Sequence, residues 1–180
     1  VYYPKNHTAG QSGIMFLGAY LPYQPPDSTM NHNIRVSRCS VVNAIHRGIS
    51  FYNGVKITVE DCSVDGIMLG EAINLDHWSV GCVVVNNTIR NTYLGIETND
   101  ADHCTIYNNT ITGCYEGITT WRYYDNESTK DSYNRYLYNH ISQIELRGIR
   151  INESNRNEII GNVLEDGPTG IWFCPACSSS

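Results

Sequence analysis

Asp76 and Glu97 are the two side chains whose types and spacing in this sequence best fit acid–base or nucleophilic work. They belong to two segments that read alike, Ala72-Ile73-Asn74-Leu75-Asp76 and Gly95-Ile96-Glu97-Thr98-Asn99. If these segments are strands stacked one above the other, the two Cα atoms lie about 8 Å apart, given the usual strand rise and strand spacing. Carboxyl groups separated by about 5–9 Å can act as acid and nucleophile, or acid and base, across a glycosidic bond. Glu71 and Glu116 flank the same pattern, and Asp100, Asp102 and His103 follow it. Solvated acids on an acidic protein are therefore the plain alternative.

A second chemistry draws on other residues. Abstraction of a proton beside a sugar carboxylate needs a cation to neutralise the carboxylate, plus a base. Arg147 and Arg150 supply the cations, His77 or His103 the base, and Asp100 with Asp102 are weak candidates to hold Ca²⁺. The acids form no tight calcium cluster, and hydrolysis by Asp76 and Glu97 calls for no cofactor.

These residues are positioned by a repeat. Residues 82–98 and 104–120 are displaced by 22 and identical at 9 of 17 positions, through Cys82…Asn86-Asn87-Thr88-Ile89…Gly95-Ile96 and Cys104…Asn108-Asn109-Thr110-Ile111…Gly117-Ile118. Extended outwards, the repeat gives a column Cys39, Cys62, Asn87, Asn109, Asn139, Asn162, with steps of 23, 25, 22, 30 and 23 residues. Beside it run Val41, Val64, Ile89, Ile111, Ile141, Leu164 and, earlier in each unit, Val36, Val59, Val84, Ile106, Tyr136, Ile159. Later in each unit a small residue precedes Ile49, Ile73, Ile96, Ile118, Ile149 and Ile171. Three short alternating stretches per unit, separated by Asn and Gly corners, predict an all-β parallel solenoid of about six coils with three strands per coil. A β-sandwich would not keep these columns in register, and a leucine-rich repeat would require Leu where Ile and Val stand.

With the Ile column inward, the next residues face outward as Ser50, Asn74, Glu97, Thr119, Arg150, Trp172, and two further on as Tyr52, Asp76, Asn99, Trp121, Asn152, Cys174. Asn74, Asn99 and Arg150 are expected to hydrogen-bond sugar hydroxyls. Trp121, Tyr123, Tyr124 and Trp172 offer ring faces for stacking.

The Asn-x-Ile, Asn-Asn-x-Ile and Gly-Ile units over residues 31–175 resemble the right-handed parallel β-helix, or pectin-lyase-like, superfamily. The resemblance implies the handedness of the coil and a polysaccharide groove along one sheet. It leaves the activity open among lyases, hydrolases, epimerases, tailspikes and adhesins. Asp-Pro-His of alginate epimerases is missing, as are Gly-Asp-Asp and Gly-His-Gly of polygalacturonases, and Asn99-Asp100 only faintly matches the latter group's Asn-Thr-Asp. The functional expectation is thus a polysaccharide-active hydrolase. A non-catalytic structural or adhesive β-helix is the first alternative, and a lyase or epimerase the second.

The whole chain reads as one β-helix domain: residues 1–30 a partial coil with a Pro-rich loop at Tyr23-Gln24-Pro25-Pro26, and residues 121–134 an inserted loop rich in Trp, Tyr and Asp. A net charge of −6 with pI near 5.4 gives no basic footprint for nucleic acid. No apolar run is long enough to span a membrane. Five sequons, at Asn6, Asn86, Asn108, Asn126 and Asn152, fit an extracellular or cell-surface glycoprotein, although Asn86 and Asn108 also follow from the repeat itself. Neither end reads as capped, which predicts a longer polypeptide or self-association through exposed coil ends. Among the seven cysteines, Cys39 with Cys62 and Cys82 with Cys104 stack within disulfide range or pack as free thiols; Cys114 stands apart. Cys174-Pro175-Ala176-Cys177 is expected to close a small terminal disulfide.

Overall fold

Runs of two to six residues, most of them alternating aliphatic with polar side chains, are too short for helices, and many end at a corner residue with a positive φ. In the computed structural model of the protein, which describes residues 12–17, 27–121 and 132–174, these runs form 21 strands. No α-helix occurs among the described residues; the only helical turn is 3-10, at Asp27–Thr29. The Pro-rich loop, Tyr123, Tyr124, Asn6, Asn126 and Cys177 lie outside the described residues.

All strand pairs are parallel, and each strand bonds its equivalents in the coils above and below. The long sheet stacks seven strands: Ile14–Phe16, Ile49–Tyr52, Glu71–Asp76, Leu94–Asn99, Glu116–Trp121, Arg147–Asn152 and Ile171–Cys174. Two further sheets of six strands each, with a two-stranded sheet of Asn31–His32 and Gly54–Val55, complete a right-handed parallel β-solenoid of about six turns and three faces.

The registers reproduce the sequence columns. Ile49, Ile73, Ile96, Ile118, Ile149 and Ile171 pair in line. So do Val36, Val59, Val84, Ile106, Tyr136 and Ile159, and Val41 through Leu164. Together they make one continuous core. Its polar exceptions satisfy one another, since the Tyr136 hydroxyl lies 3.0 Å from Thr98 Oγ1 across the buried interior. The small-residue column exists because backbones pass closely there: a Cβ on Gly117 would lie 2.4 Å from the Gly148 carbonyl oxygen.

Stacked asparagine amides tie the coils at one corner. Asn87 Nδ2 donates to Asn109 Oδ1 at 2.9 Å, Asn109 Nδ2 to Asn139 Oδ1 at 3.0 Å, and Asn139 Nδ2 to Asn162 Oδ1 at 2.9 Å. A second ladder, not anticipated from the repeat, runs from the Cys104 N–H to Asn134 Oδ1 and from the Asn134 N–H to Asn157 Oδ1. Cys39, Cys62, Cys82, Cys104 and Cys114 are free thiols, so the stacked pairs are not bridged, whereas Cys174 is disulfide-bonded. Burial pushes the Cys62 and Cys114 thiols up, and the hydrogen bond with Cys104 holds Cys82 below its ordinary value.

Candidate functional site

The long sheet places the two outward columns where the alternation requires. Ser50, Asn74, Glu97, Thr119, Arg150 and Trp172 are consecutive register partners, as are Tyr52, Asp76, Asn99 and Trp121. Asp76 is opposite Asn99 and Glu97 is opposite Asn74, so the two carboxylates are diagonal neighbours. The face is not an open groove at its centre. Asp76 is 2% exposed and Glu97 7%, with Ser50 and Asn74 fully buried, although all four point away from the core. Each short polar side chain lies beside a larger one in its column, Asn74 by Glu97 and Asp76 by Tyr52.

Along the first column the contacts form a chain. Ser50 Oγ lies 3.4 Å from Asn74 Oδ1, and Asn74 Nδ2 donates to Glu97 Oε2 at 2.7 Å. Asp76 belongs to a different group. Its Oδ1 accepts the His77 N–H at 2.9 Å and lies 2.9 Å from His77 Nδ1, while its Oδ2 is 3.6 Å from Arg47 Nη2. His77 Nδ1 is also 3.5 Å from Asp100 Oδ2. Arg47 donates through Nε to Glu71 at 2.8 Å and through Nη1 to the Tyr52 hydroxyl.

The corner that holds this group is unusual. His77 (φ 30°) and Trp78 (φ 61°) are the only two consecutive non-glycine residues with positive φ among the described residues. Such a conformation persists only where surroundings over-determine it. Here Asn53 Nδ2 donates to the His77 carbonyl at 3.0 Å, and the Trp78 N–H donates to the Asp100 carbonyl at 3.0 Å. Burial alone would lower the His77 pKa, but its hydrogen bonds with Asp100 and Asp76 outweigh it and push the imidazole up to about 9. Arg47 is likewise raised, the Glu71 carboxylate overcoming desolvation; Tyr52 is raised by burial and by Asp76.

The other end of the face is aromatic and cationic. Arg150 lies over the Trp121 ring at 4.3 Å and over Trp172 at 5.7 Å, and Arg147 lies over Trp172 at 4.1 Å. Guanidinium groups therefore cover a face of each indole expected to receive sugar. Both arginines lean on Glu116, Arg147 through Nη1 on Oε1 and Arg150 Nη1 at 3.4 Å from Oε2. From the middle of the face to this end, four buried atoms lack a hydrogen-bond partner: Asn99 Oδ1, Thr119 Oγ1, Arg150 Nε and Asn152 Oδ1.

The structure thus brings Asp76, His77 and Asp100 together at one end, Arg147, Arg150, Trp121 and Trp172 at the other, and Asn74, Glu97, Asn99 and Thr119 between them. Asp102 and His103 are not part of it. His103 Nδ1 lies 3.0 Å from Asp102 Oδ2 and its ring stacks on Tyr133, while Asp102 Oδ1 accepts the Ser132 N–H. Arg47 was not singled out by sequence, yet a signal exists: it precedes Gly48-Ile49 as Glu71 precedes Ala72-Ile73. Aligning that position would have stacked Arg47 on Glu71 directly.

A family profile described as "Periplasmic copper-binding protein (NosD)" matches residues 24–164. No curated protein and no solved structure matches the chain.

Proposed function

The chain belongs to the NosD family of β-helix proteins, and on that footing we propose that it is an envelope-located β-helix that holds a glycan on the outward face of its long sheet and hydrolyses it with Asp76 and Glu97. A periplasmic setting follows the family's description. The observation that carries the proposal is the uninterrupted outward column Ser50–Asn74–Glu97–Thr119–Arg150–Trp172 with Tyr52–Asp76–Asn99–Trp121 beside it. A solenoid wall serving only as support needs no such run of amides, acids and indoles, and buried polar atoms without partners are costly to keep.

Copper, which the family's description names, does not fit the described residues. Copper favours thiolate, thioether and imidazole donors. Among the described residues no three His, Cys, Asp or Glu side chains converge in a way that would hold a metal ion. Cys62, Cys82, Cys104 and Cys114 are buried in the core, facing away from the polar face.

A second reading is a non-catalytic glycan-binding β-helix. It is favoured by the protein partners already held by both acids, Arg47 and His77 by Asp76 and Asn74 by Glu97. Reducing-end release from a panel of envelope and extracellular polysaccharides decides between them. Cleavage by the wild type that is lost in both Asp76→Asn and Glu97→Gln supports hydrolysis. Binding without cleavage supports the second reading, and cleavage unchanged in both variants removes these acids from the mechanism.

A further inference from the structure

Two pairs of cysteines are stacked from coil to coil, and they differ in access to solvent. Cys39 and Cys62 immediately precede the register partners Ser40 and Ser63, and the Ser63 N–H donates to the Cys39 carbonyl at 2.9 Å. Cys82 and Cys104 likewise precede the partners Val83 and Thr105. In either pair the Cα atoms stand one coil apart, about 4.8 Å, inside the span that a disulfide bridges. All four thiols are free. Cys82 and Cys104 are each 0% exposed, whereas Cys39 is half-buried beside a Cys62 that is 2% exposed. Cys39 owes its access to position: the strands on either side of it, Arg35–Ser37 and Ser40–Val42, are the last of their sheets among the described residues.

The backbone holds the sulfurs of this pair side by side. Cys39 Sγ lies 3.4 Å from the Ser37 carbonyl oxygen. Cys62 Sγ lies 3.2 Å from the equivalent Glu60 carbonyl oxygen of its own coil and 3.7 Å from that of Val36, in the coil that carries Cys39. Cys62 therefore leans toward its neighbour. In the coils that follow, the same column is occupied by Asn87, Asn109, Asn139 and Asn162, whose amides tie one coil to the next. The two thiols stand where that ladder stops.

We infer that Cys39 and Cys62 form a thiol–disulfide exchange site, in which Cys39 reacts with a small-molecule disulfide and Cys62 resolves the product. The Cys39 thiolate attacks one sulfur of the oxidant, breaks its S–S bond and expels a thiolate that takes up a proton. Cys62 then gives up its own proton, attacks Cys39 Sγ and expels the second half of the oxidant. Two protein thiols become one disulfide, one disulfide becomes two thiols, and the protons pass to the leaving groups. Access sets the order, and burial pushes the Cys62 thiol up, so that it stays protonated until the mixed disulfide forms beside it. The bridge closes a step of 23 residues and staples two coils that no amide pair ties at this corner. Oxidising compartments, the periplasm among them, supply such disulfides.

The test incubates the whole, natively folded protein with oxidised glutathione and follows released reduced glutathione, intact mass and a non-reducing peptide map. Expected are two equivalents of reduced glutathione released per chain, none retained, and one new bridge mapped to Cys39 and Cys62, with Cys82 and Cys104 still thiols. Cys39→Ser abolishes the reaction, and Cys62→Ser leaves glutathione attached to Cys39, because nothing resolves it. The wild-type stoichiometry decides the matter alone if either variant fails to fold. No reaction of the native protein, glutathione retained on wild-type Cys39, or a bridge between Cys82 and Cys104 formed as fast overturns the site.

Discussion

Neutralising His77 should cost the folded state several kilocalories, and the cost should appear only as pH rises. The imidazole sits 2.9 Å from Asp76 Oδ1 and 3.5 Å from Asp100 Oδ2, almost fully buried, and is pushed up from 6.5 to about 9. A folded-state pKa above the unfolded value means that the native state binds the proton more tightly. The stabilisation is therefore complete below pH 6.5 and is lost as pH climbs through 9. With these two values, linkage gives about 3 kcal/mol at pH 6, roughly half of that at pH 8 and little by pH 9. Urea unfolding of the wild type and His77→Asn between pH 6 and pH 10 measures it. Asn tolerates the positive φ of this corner but cannot carry the charge. Taking the difference between the two proteins at each pH removes the thiols and tyrosines that titrate in the same range. The difference should shrink by about 2–3 kcal/mol between pH 6 and pH 9. A constant difference, or one that grows with pH, would show that His77 is not a cation held between two carboxylates.

Three further outcomes follow from the core. Thr98→Val removes the hydroxyl that lies 3.0 Å from the buried Tyr136 hydroxyl and should cost about 1 kcal/mol in chemical denaturation, with the costs of Thr98→Val and Tyr136→Phe less than additive in the double variant. Gly117→Ala drives a Cβ to 2.4 Å from the Gly148 carbonyl oxygen and should lower stability by about 1–3 kcal/mol by the same assay, with no glycan needed to see it. Cys62, Cys82, Cys104 and Cys114 are buried free thiols; an aromatic disulfide reagent should modify them only when the protein unfolds, and prompt native-state reaction of all four would contradict their packing.

Most of the architecture was legible because a solenoid writes the same constraint once per coil. The aliphatic columns, the Asn87–Asn162 ladder and both outward columns fell into register from spacing alone, since a parallel sheet pairs each residue with its equivalent one coil away. Less visible was what happens where no repeat enforces an identity. The second ladder through Asn134 and Asn157 hid because two of its positions are cysteines, Cys82 and Cys104, and alignment on Asn does not join them. The corner of His77 and Asp100 was hidden for a different reason: left-handed backbone at a histidine followed by a tryptophan is a tertiary consequence, without a local sequence signal. Outward direction was read correctly, but exposure does not follow from direction, as the burial of Asn74, Asp76 and Glu97 shows. Spacing likewise set Arg150 beside Trp172 in one column, but that guanidinium groups lie over the Trp121 and Trp172 rings follows from side-chain packing that the repeat does not encode.

The most direct trial of the glycan-holding face is a crystal structure of Asp76→Asn soaked with an oligosaccharide that the wild type binds. Sugar rings lying along the column of Asn74, Glu97, Thr119 and Arg150 are the expected result. A saccharide bound on either of the other two sheets, with the long sheet's outward face unchanged, would contradict it.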